Sequence, residues 1–479
     1  MIRMELEVAK KLIKEYTRNH GDFVNRVEIA ERYYRKENDI KFQDVKKDKD
    51  AEAENPLRIS DNRIPSNFYK LLVNQKASYA FTEKVTFDTG NKSLNELISG
   101  TLGDSFQKKC KSLCVQAANA SVAWLHYWKN ENGEFRYSVI DAKQIIPVWT
   151  KDLERELLAV LRTYTMIDDG DGNTYIVYEF WTDKESQAFR RRIDSDIDSL
   201  DYYNEYLVVD VDTGAEEYVS TYPHDFGEVP FIFFNNNDEG SDDLRDIKEL
   251  IDAYDKVFSG FLNDLEDIQE LIFIITNYGG DASESAQILH EMKTKKIINV
   301  ESEGPDDKSG VSTLAIEIPV EARKEMLQIT RKSIFEQGMG IDPDPQNFGN
   351  SSGVALGYLY SLLELKTGLM ETEFRLSFNR LVRAILKFNG RTSDKLEQTW
   401  TRTSVTNDVE LADIAQKSKN IISDETIVRK HPWVDDAELE IKRMEKQKAA
   451  SGPSWDTAPP VKAGDGDGEE QGILGKEKR

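Results

Sequence analysis

The spacing of hydrophobic and polar residues changes near residue 240 and divides the chain into two kinds of pattern. Before that point, short apolar runs flank turn residues such as Asn130-Glu131-Asn132-Gly133. Three pairs of runs are expected to form antiparallel hairpins: residues 122–128 with 135–140, 157–167 with 175–181, and 206–211 with 217–222. Helical spacing is expected at residues 64–81 and 94–118. This part of the chain is therefore predicted to be α+β.

After residue 240 the pattern becomes that of long helices. Residues 241–268 carry a stripe of apolar positions that predicts a rod about 42 Å long. The stripe includes Leu244, Ile251, Phe258 and Leu265. A helix with one apolar stripe needs packing partners along its whole length, so these four residues are expected to pack against neighbouring copies of the chain.

Two further rods are expected downstream. The second covers residues 320–337 with Pro319 as its first helical residue, and the third covers residues 353–388 over about 54 Å. The aspartate-rich face of the first rod could face water or basic residues of the second rod, which are Arg323, Lys324, Arg331 and Lys332. A small α/β module is expected between the first two rods.

Composition limits what the chain can do with nucleic acid. Sixty-three Lys and Arg against 87 Asp and Glu give a net charge of −24. A chain this acidic cannot hold duplex DNA by neutralising phosphates, although DNA could slide along its surface. The 2 cysteines exclude a disulfide framework, and no signal-peptide or membrane-spanning pattern is evident, so a soluble, intracellular protein is expected.

Four segments resemble the portal proteins of tailed double-stranded-DNA bacteriophages, of the type found in siphophages of Gram-positive hosts. The first runs from Asn62-Arg63-Ile64-Pro65-Ser66 to Tyr79 and resembles the N-terminal signature of that family. Residues 246–268 resemble its first stem helix, and residues 347–356 resemble the passage from its inner loop into the tunnel helix. Residues 422–436 resemble its crown. The four segments occur in the family's order and span most of residues 60–445.

The resemblance implies an α+β portal fold with a mixed α/β wing, a long-helix stem, a small α/β clip and a helical crown. The implied division has these bounds: wing 60–240, stem helix 241–269, clip 270–318, second stem helix 319–340, tunnel loop 341–352, tunnel helix and return to the wing 353–409, and crown 410–450. The two ends of the chain match nothing in that family. Their charge and their Gly and Pro content predict an N-terminal helical arm and charged linker at 1–59 and a disordered tail at 451–479.

The resemblance also implies a function without catalysis. Such proteins form a homo-oligomeric ring, typically of twelve copies, at one vertex of the capsid in the virion, after assembly in the host cytoplasm. The ring is the conduit through which double-stranded DNA passes without sequence specificity. Its implied partners are the terminase large subunit, the head–tail adaptor, and the major capsid and scaffold proteins. No cofactor or membrane is implied.

Two groups of residues are candidates for contacts in such a ring. Asn347, Asn350, Ser351 and Ser352 could project toward DNA, because neutral amides and hydroxyls can hydrogen-bond phosphate without stalling its movement. The alternative is that they only turn the chain and cap the next helix. Lys293, Lys295 and Lys296 could meet the motor or the adaptor, or could simply be a solvated face.

Other chemistry finds weaker support in the sequence. Cys110 and Cys114 are spaced too widely for an ordinary structural zinc site, and residues 168–173 fit a hairpin turn better than a calcium loop. Arg190-Arg191-Arg192 is interpreted as part of a charged loop. No Walker A motif is found, which excludes a motor ATPase. The alternatives to a portal are another phage structural protein, such as a scaffold or tail component, and a metal-dependent nuclease.

Overall fold

A computed structural model describes residues 4–42, 60–209, 216–267, 272–276, 310–314, 319–344, 353–402, 408–419, 421–431, 434 and 437–450. The chain divides into two compact units, Met1–Ser404 and Val405–Arg479. The first unit contains helices and antiparallel strands, and the second contains helices in its described part. The predicted α+β class is confirmed.

The N-terminal half of the first unit begins with helices and continues with strands. Its helices are α1 Leu6–Thr17, α2 His20–Tyr34, α3 Phe68–Ala80, α4 Lys92–Leu102 and α5 Phe106–Ala120. Its strands are β1 Thr86–Asp88, β2 Val122–Lys129, β3 Phe135–Ile140, β4 Ile145–Trp149, β5 Leu157–Ile167, β6 Thr174–Trp181, β7 Glu185–Arg192, β8 Asp201–Tyr202, β9 Tyr206–Val209, β10 Glu216–Val219, β11 Thr221–Pro223 and β12 Phe231–Asn235.

Two larger antiparallel sheets organise these strands. One has the order β11-β7-β6-β5-β4 with β8 paired to β7, and the other has the order β12-β2-β3. The hairpins β2–β3, β5–β6 and β9–β10 confirm the three predicted pairs, although β9 and β10 are shorter than expected. Strands β4, β7 and β12 were not predicted.

One prediction about this region is wrong. Arg190-Arg191-Arg192 does not lie in a charged loop but completes strand β7, where Arg190 is paired with Val177 of β6. The Arg190 guanidinium forms an ion pair with Asp168 and lies over the ring of Tyr175, 4.4 Å from its centroid. Because these contacts neutralise and cover the Arg190 guanidinium, a basic residue can occupy a strand here. The charge of the triplet alone predicts a loop.

The long helices follow the sheets. They are α6 Lys248–Asp267, α7 Val320–Gln337 and α8 Gly353–Phe388, and between α6 and α7 the described strands β13 Ile272–Thr276 and β14 Gly310–Leu314 pair antiparallel. Helices α7 and α8 have the predicted bounds. Helix α6 begins later than predicted, because the Asp242 side chain accepts hydrogen bonds from the backbone N–H groups of Leu244 and Arg245 and holds a turn there. Its 20 residues give a rod of about 30 Å.

The core of the first unit lies where α8 crosses the sheets. Buried residues of α5, β2 and β12 pack there against the C-terminal half of α8, around Phe374 and Phe378. A short strand, β15 Glu397–Thr399, then pairs with β1. The second unit contains α9 Asp408–Lys417, α10 Asp424–Lys430 and α11 Ala437–Ala450, and the Ser423 hydroxyl caps α10 by accepting a hydrogen bond from Thr426 N at 3.3 Å.

Candidate subunit interface

The apolar stripe of the first rod has two different environments along its length. Leu244 and Ile251 are buried inside the chain, where they pack with Tyr69, Val73 and Ile334. Farther along α6, Phe258 and Leu265 are 39% and 45% exposed. The expectation that the whole stripe waits for neighbouring copies is therefore corrected: Leu244 and Ile251 already have partners from α3 and α7, whereas Phe258 and Leu265 keep exposed apolar surface.

Helix α7 packs along α6 and adds exposed apolar residues. The Arg323 guanidinium pairs with Asp264 of α6 and lies over the ring of Phe261, 5.5 Å from its centroid. The predicted contact between the acidic face of the first rod and the second is thus present at Arg323. Arg331 instead pairs with Asp342 at 2.6 Å, and Lys332 with Glu336 at 3.6 Å. Lys324 is exposed.

Exposed apolar residues occur on both α6 and α7, and we call this set the hairpin face. Each member has a large apolar side chain that is substantially exposed. The members are Phe258, Leu265, Val320, Met326 and Ile329. The two helices that carry them are held together by the Arg323–Asp264 ion pair. The ion pair fixes α6 and α7 to each other, so the exposed apolar residues of the two helices keep a constant separation.

A second surface, the tunnel-helix face, lies on the N-terminal half of α8. Tyr358, Leu362, Leu365 and Leu369 are spaced by four, three and four residues and are all exposed, Leu365 by 54% and Tyr358 by 76%. This spacing aligns the four side chains along one side of the helix, as in the seam of a helix pair. Leu363 and Thr367, on the same helical segment, are buried. Half of α8 therefore has one face in the chain's interior and one apolar face in solvent.

A buried charge cluster fixes the point where these helices meet α3. Asp243 accepts from Lys76 and Lys366, each at 3.1 Å, and from Asn236 Nδ2 at 2.8 Å. Burial opposes ionisation, but Lys366 and Lys76 overcome it and hold the pKa of Asp243 at about 2. Lys366 also donates to the Gly338 carbonyl at 3.0 Å. The cluster therefore connects Lys76 of α3, Asp243 in the turn before α6 and Lys366 of α8, and Lys366 also binds the residue that follows α7.

The chain leaves α7 in close contact with α3. A Cβ at Gly340 would lie 2.1 Å from Cδ2 of Leu72, so any larger residue there would have to displace the buried Leu72 side chain. Next to it, Gln75 donates to the Ile341 carbonyl at 2.7 Å and accepts from Ile341 N at 3.0 Å. The start of the predicted tunnel loop is thereby fixed to α3.

The candidate DNA and motor contacts lie outside the described residues. They are Asn347, Asn350, Ser351 and Ser352 of the tunnel loop and Lys293, Lys295 and Lys296 of the clip. Their roles therefore stay predictions. Among the described residues, the flank of the tunnel loop at Ile341 is fixed to α3.

Cysteines and turn carboxylates are explained by local structure. Cys110 and Cys114 are buried one turn apart on α5, and burial raises the pKa of both thiols. Asp168 and Asn173 close the β5–β6 hairpin through a 2.9 Å backbone hydrogen bond, which confirms the predicted turn. Among the described residues, no group of three or more His, Cys, Asp or Glu side chains could hold a metal ion. No described helix is long and apolar enough to cross a bilayer.

Comparisons with known proteins point to one family. A family model described as "Phage portal protein, SPP1 Gp6-like" matches residues 13–454. The portal protein of Clostridium phage phiCD119 (strain Clostridium difficile/United States/Govind/2006) is 43% identical over 470 residues, which cover 93% of this chain and 98% of that protein. The portal protein of Bacillus phage SPP1 is 29% identical over 440 residues, covering 87% of this chain and 82% of that one.

A solved structure was also found. It is a chain in the virion of a native gene transfer agent (GTA) particle, 11% identical, with a TM-score of 0.44, and the match covers 76% of this chain and 88% of that chain.

Proposed function

Since the chain belongs to the phage portal protein family of the SPP1 Gp6-like type, we propose that its copies close into a ring, of twelve subunits, through the two apolar faces described above. The hairpin face and the tunnel-helix face differ in sequence and lie on different helices. Contacts between two unlike faces of identical chains are head-to-tail, and such contacts form a ring when the rotation closes. The observation that carries the proposal is the exposed stripe from Tyr358 to Leu369.

The ring would serve as a conduit for double-stranded DNA at one vertex of the capsid. A net charge of −24 per chain favours weak, non-gripping contact with phosphate. Asn347, Asn350, Ser351 and Ser352 are the proposed neutral contacts with DNA in the tunnel loop. The chain just before the loop is fixed to α3 at Ile341, which suits a loop held at a defined place in each subunit.

The same ring would dock the proteins that fill and complete the capsid. The terminase large subunit and the head–tail adaptor are the proposed partners of the clip, with Lys293, Lys295 and Lys296 as contacts, and the capsid and scaffold proteins are partners during assembly in the host cytoplasm. We propose no catalytic activity. A magnesium-dependent DNA cleavage assay with the purified chain tests this point, since cleavage that co-purifies with the ring would contradict it.

The ring is tested by placing a charge in the exposed stripe. Leu365→Lys puts an ammonium group into the tunnel-helix face, and its burial against a neighbour would cost several kcal/mol, because an unpaired charge cannot be buried cheaply. We expect the mass seen by native mass spectrometry to fall from the ring to the single chain of 54.8 kDa.

Leu153→Lys is the matched control. Leu153 is also an exposed leucine, at the tip of the β4–β5 connection, outside both apolar faces. This variant is expected to assemble as the parent does. Normal ring formation by Leu365→Lys would show that the tunnel-helix face is not part of the subunit contact.

A further inference from the structure

The polar side of α6 is covered by an extended segment of the same chain, residues 60–66, which we call the strap. The backbone N–H groups of Asn62, Ile64 and Ser66 donate to side-chain oxygens of α6: to Asn263 at 2.7 Å, Ser259 at 3.0 Å and Asp255 at 2.8 Å. Residue numbers increase along the strap while those of the hydrogen-bonded partners on α6 decrease, so the strap runs antiparallel to α6.

The hydrogen bonds form because the spacing of donors along the strap matches the spacing of acceptors along α6. Every second residue of the strap donates, and two residues of extended chain span about 6.6 Å. Every fourth residue of α6 accepts, and four residues of α-helix rise about 6.0 Å. Pro65, which has no N–H to donate, lies between two donating positions. The strap and the helix are therefore in register over the whole segment.

Further side chains fix the two ends of this contact. At one end, Asn62 Nδ2 donates to Glu266 at 2.6 Å. At the other, the buried Asn38 donates to Asp255 at 2.6 Å and to the Ser66 carbonyl at 3.2 Å. Asp255 is 1% exposed, and its partners among the described residues are these neutral donors. A buried carboxylate held by fixed donors favours a single position of the helix.

The segment containing Asn38 contacts α6 again one turn earlier. Lys248 Nζ lies 2.6 Å from Asp39 and 2.7 Å from Asp252, and the Tyr33 hydroxyl donates to Asp252. The strap itself continues through Asn67 into α3, whose buried residues lie in the core of the first unit. The acidic side of α6 is thus bound to elements that are themselves fixed in the core.

We propose that the strap is an axial lock: it sets the position of α6 along its own axis relative to α3 and the N-terminal helices. Sliding the helix would break the three backbone hydrogen bonds together, because they share one register. The proposal rests on contacts within one chain and does not depend on ring formation.

Hydrogen–deuterium exchange of the full-length chain tests the lock. Ser259→Ala and Asn263→Ala each remove one acceptor and leave the backbone donors in place. We expect exchange in residues 60–66 to become roughly 2- to 10-fold faster, as the loss of one net hydrogen bond implies. Exchange in α7 should be unchanged, and Lys256→Ala, at an exposed position of α6, should leave the strap as protected as in the parent.

A donor variant tests the same hydrogen bond from the side of the strap. Ile64→Pro removes the middle N–H, so adding Ser259→Ala to it should accelerate exchange of the strap no further. Two outcomes would overturn the proposal. One is strap exchange in Ser259→Ala equal to that in Lys256→Ala; the other is equal acceleration in α7, which would mean general loss of stability rather than release of the strap.

Discussion

The two halves of α8 contain similar apolar residues but differ in how much of their apolar surface is buried: Leu363 is buried in the N-terminal half, and Leu376 is exposed in the C-terminal half, but most large apolar residues of the C-terminal half are buried. In the C-terminal half, Met370, Phe374, Phe378 and Leu381 are fully buried against α5 and the sheet of β2, β3 and β12. In the N-terminal half, the stripe from Tyr358 to Leu369 is exposed. One continuous helix therefore contributes both to a core completed within the chain and to an exposed apolar face, which we propose is covered by another copy. The difference separates residues that make the subunit stable from residues that make it assemble.

The largest expected effect comes from the charge cluster at the boundary between the halves. Asp243→Ala leaves Lys76 and Lys366 buried without their carboxylate, and we expect the free energy of unfolding to fall by about 3–5 kcal/mol. Urea unfolding of the dissociated subunit measures it. Asp246→Ala, which removes an aspartate three residues later, is the control and should change stability by less than about 0.5 kcal/mol. Equal effects would show that the cluster does not stabilise the boundary.

A matched pair of leucines tests the comparison itself. Leu381→Ala in the buried half should lower the free energy of unfolding of the single subunit by about 2–5 kcal/mol. Leu365→Ala in the exposed half should lower it by less than about 0.5 kcal/mol. The same urea experiment on dissociated subunits measures both. A comparable loss in the two variants would mean that Leu365 is already packed within the chain, and the division of α8 would be wrong.

A smaller effect concerns pH and is confined to the sheet of β4–β7. Burial, together with the charge of Glu179, raises the pKa of Glu205 from 4.5 to about 7. A carboxyl group whose pKa is higher in the folded state adds stability that is complete below pH 4.5 and is lost as the pH rises through 7. Glu205→Gln should remove this loss, so its urea midpoint should exceed that of the parent at pH 8 and differ less at pH 5.

Glu131→Gln, in the exposed β2–β3 turn, is the control for that prediction and should keep the pH dependence of the parent. The mass of the assembly should not change in Glu205→Gln, because Glu205 lies outside both apolar faces. A difference in urea midpoint between Glu205→Gln and the parent that is the same at pH 5 and at pH 8 would contradict the raised pKa of Glu205.

Long, strongly periodic helices were predictable from the sequence, and their partners were not. Helices α7 and α8 have the predicted bounds because Pro319 favours a helix start and the apolar spacing continues without interruption to Phe388. A stripe of apolar residues indicates that one side of a helix is covered, but it does not show whether the same chain or another copy covers it. Leu244 and Ile251 therefore received the same interpretation as Phe258 and Leu265, although tertiary packing separates them.

Strand β7 and the strap were missed for a different reason. Strand β7 carries Glu185, Gln187 and Arg190, whose polar side chains form hydrogen bonds and ion pairs after folding, so no alternation of hydrophobicity marks it. The strap depends on the match between Asp255-x3-Ser259-x3-Asn263 and alternate N–H groups of a segment nearly 200 residues earlier. Neither segment could be recognised in the sequence as a partner of the other, because almost every residue has a backbone N–H and polar residues at every fourth position of a helix are common.

The most direct test of the central claim is hydroxyl-radical footprinting of Tyr358 in the assembled and the dissociated protein. Tyr358 is exposed in the single chain, as is Tyr218 of β10, which lies outside both apolar faces and serves as the reference. If another copy covers the tunnel-helix face, labelling of Tyr358 should fall several-fold on assembly while that of Tyr218 is unchanged. Equal labelling of Tyr358 in both states, or a protein that is a single chain at every concentration, would contradict the claim.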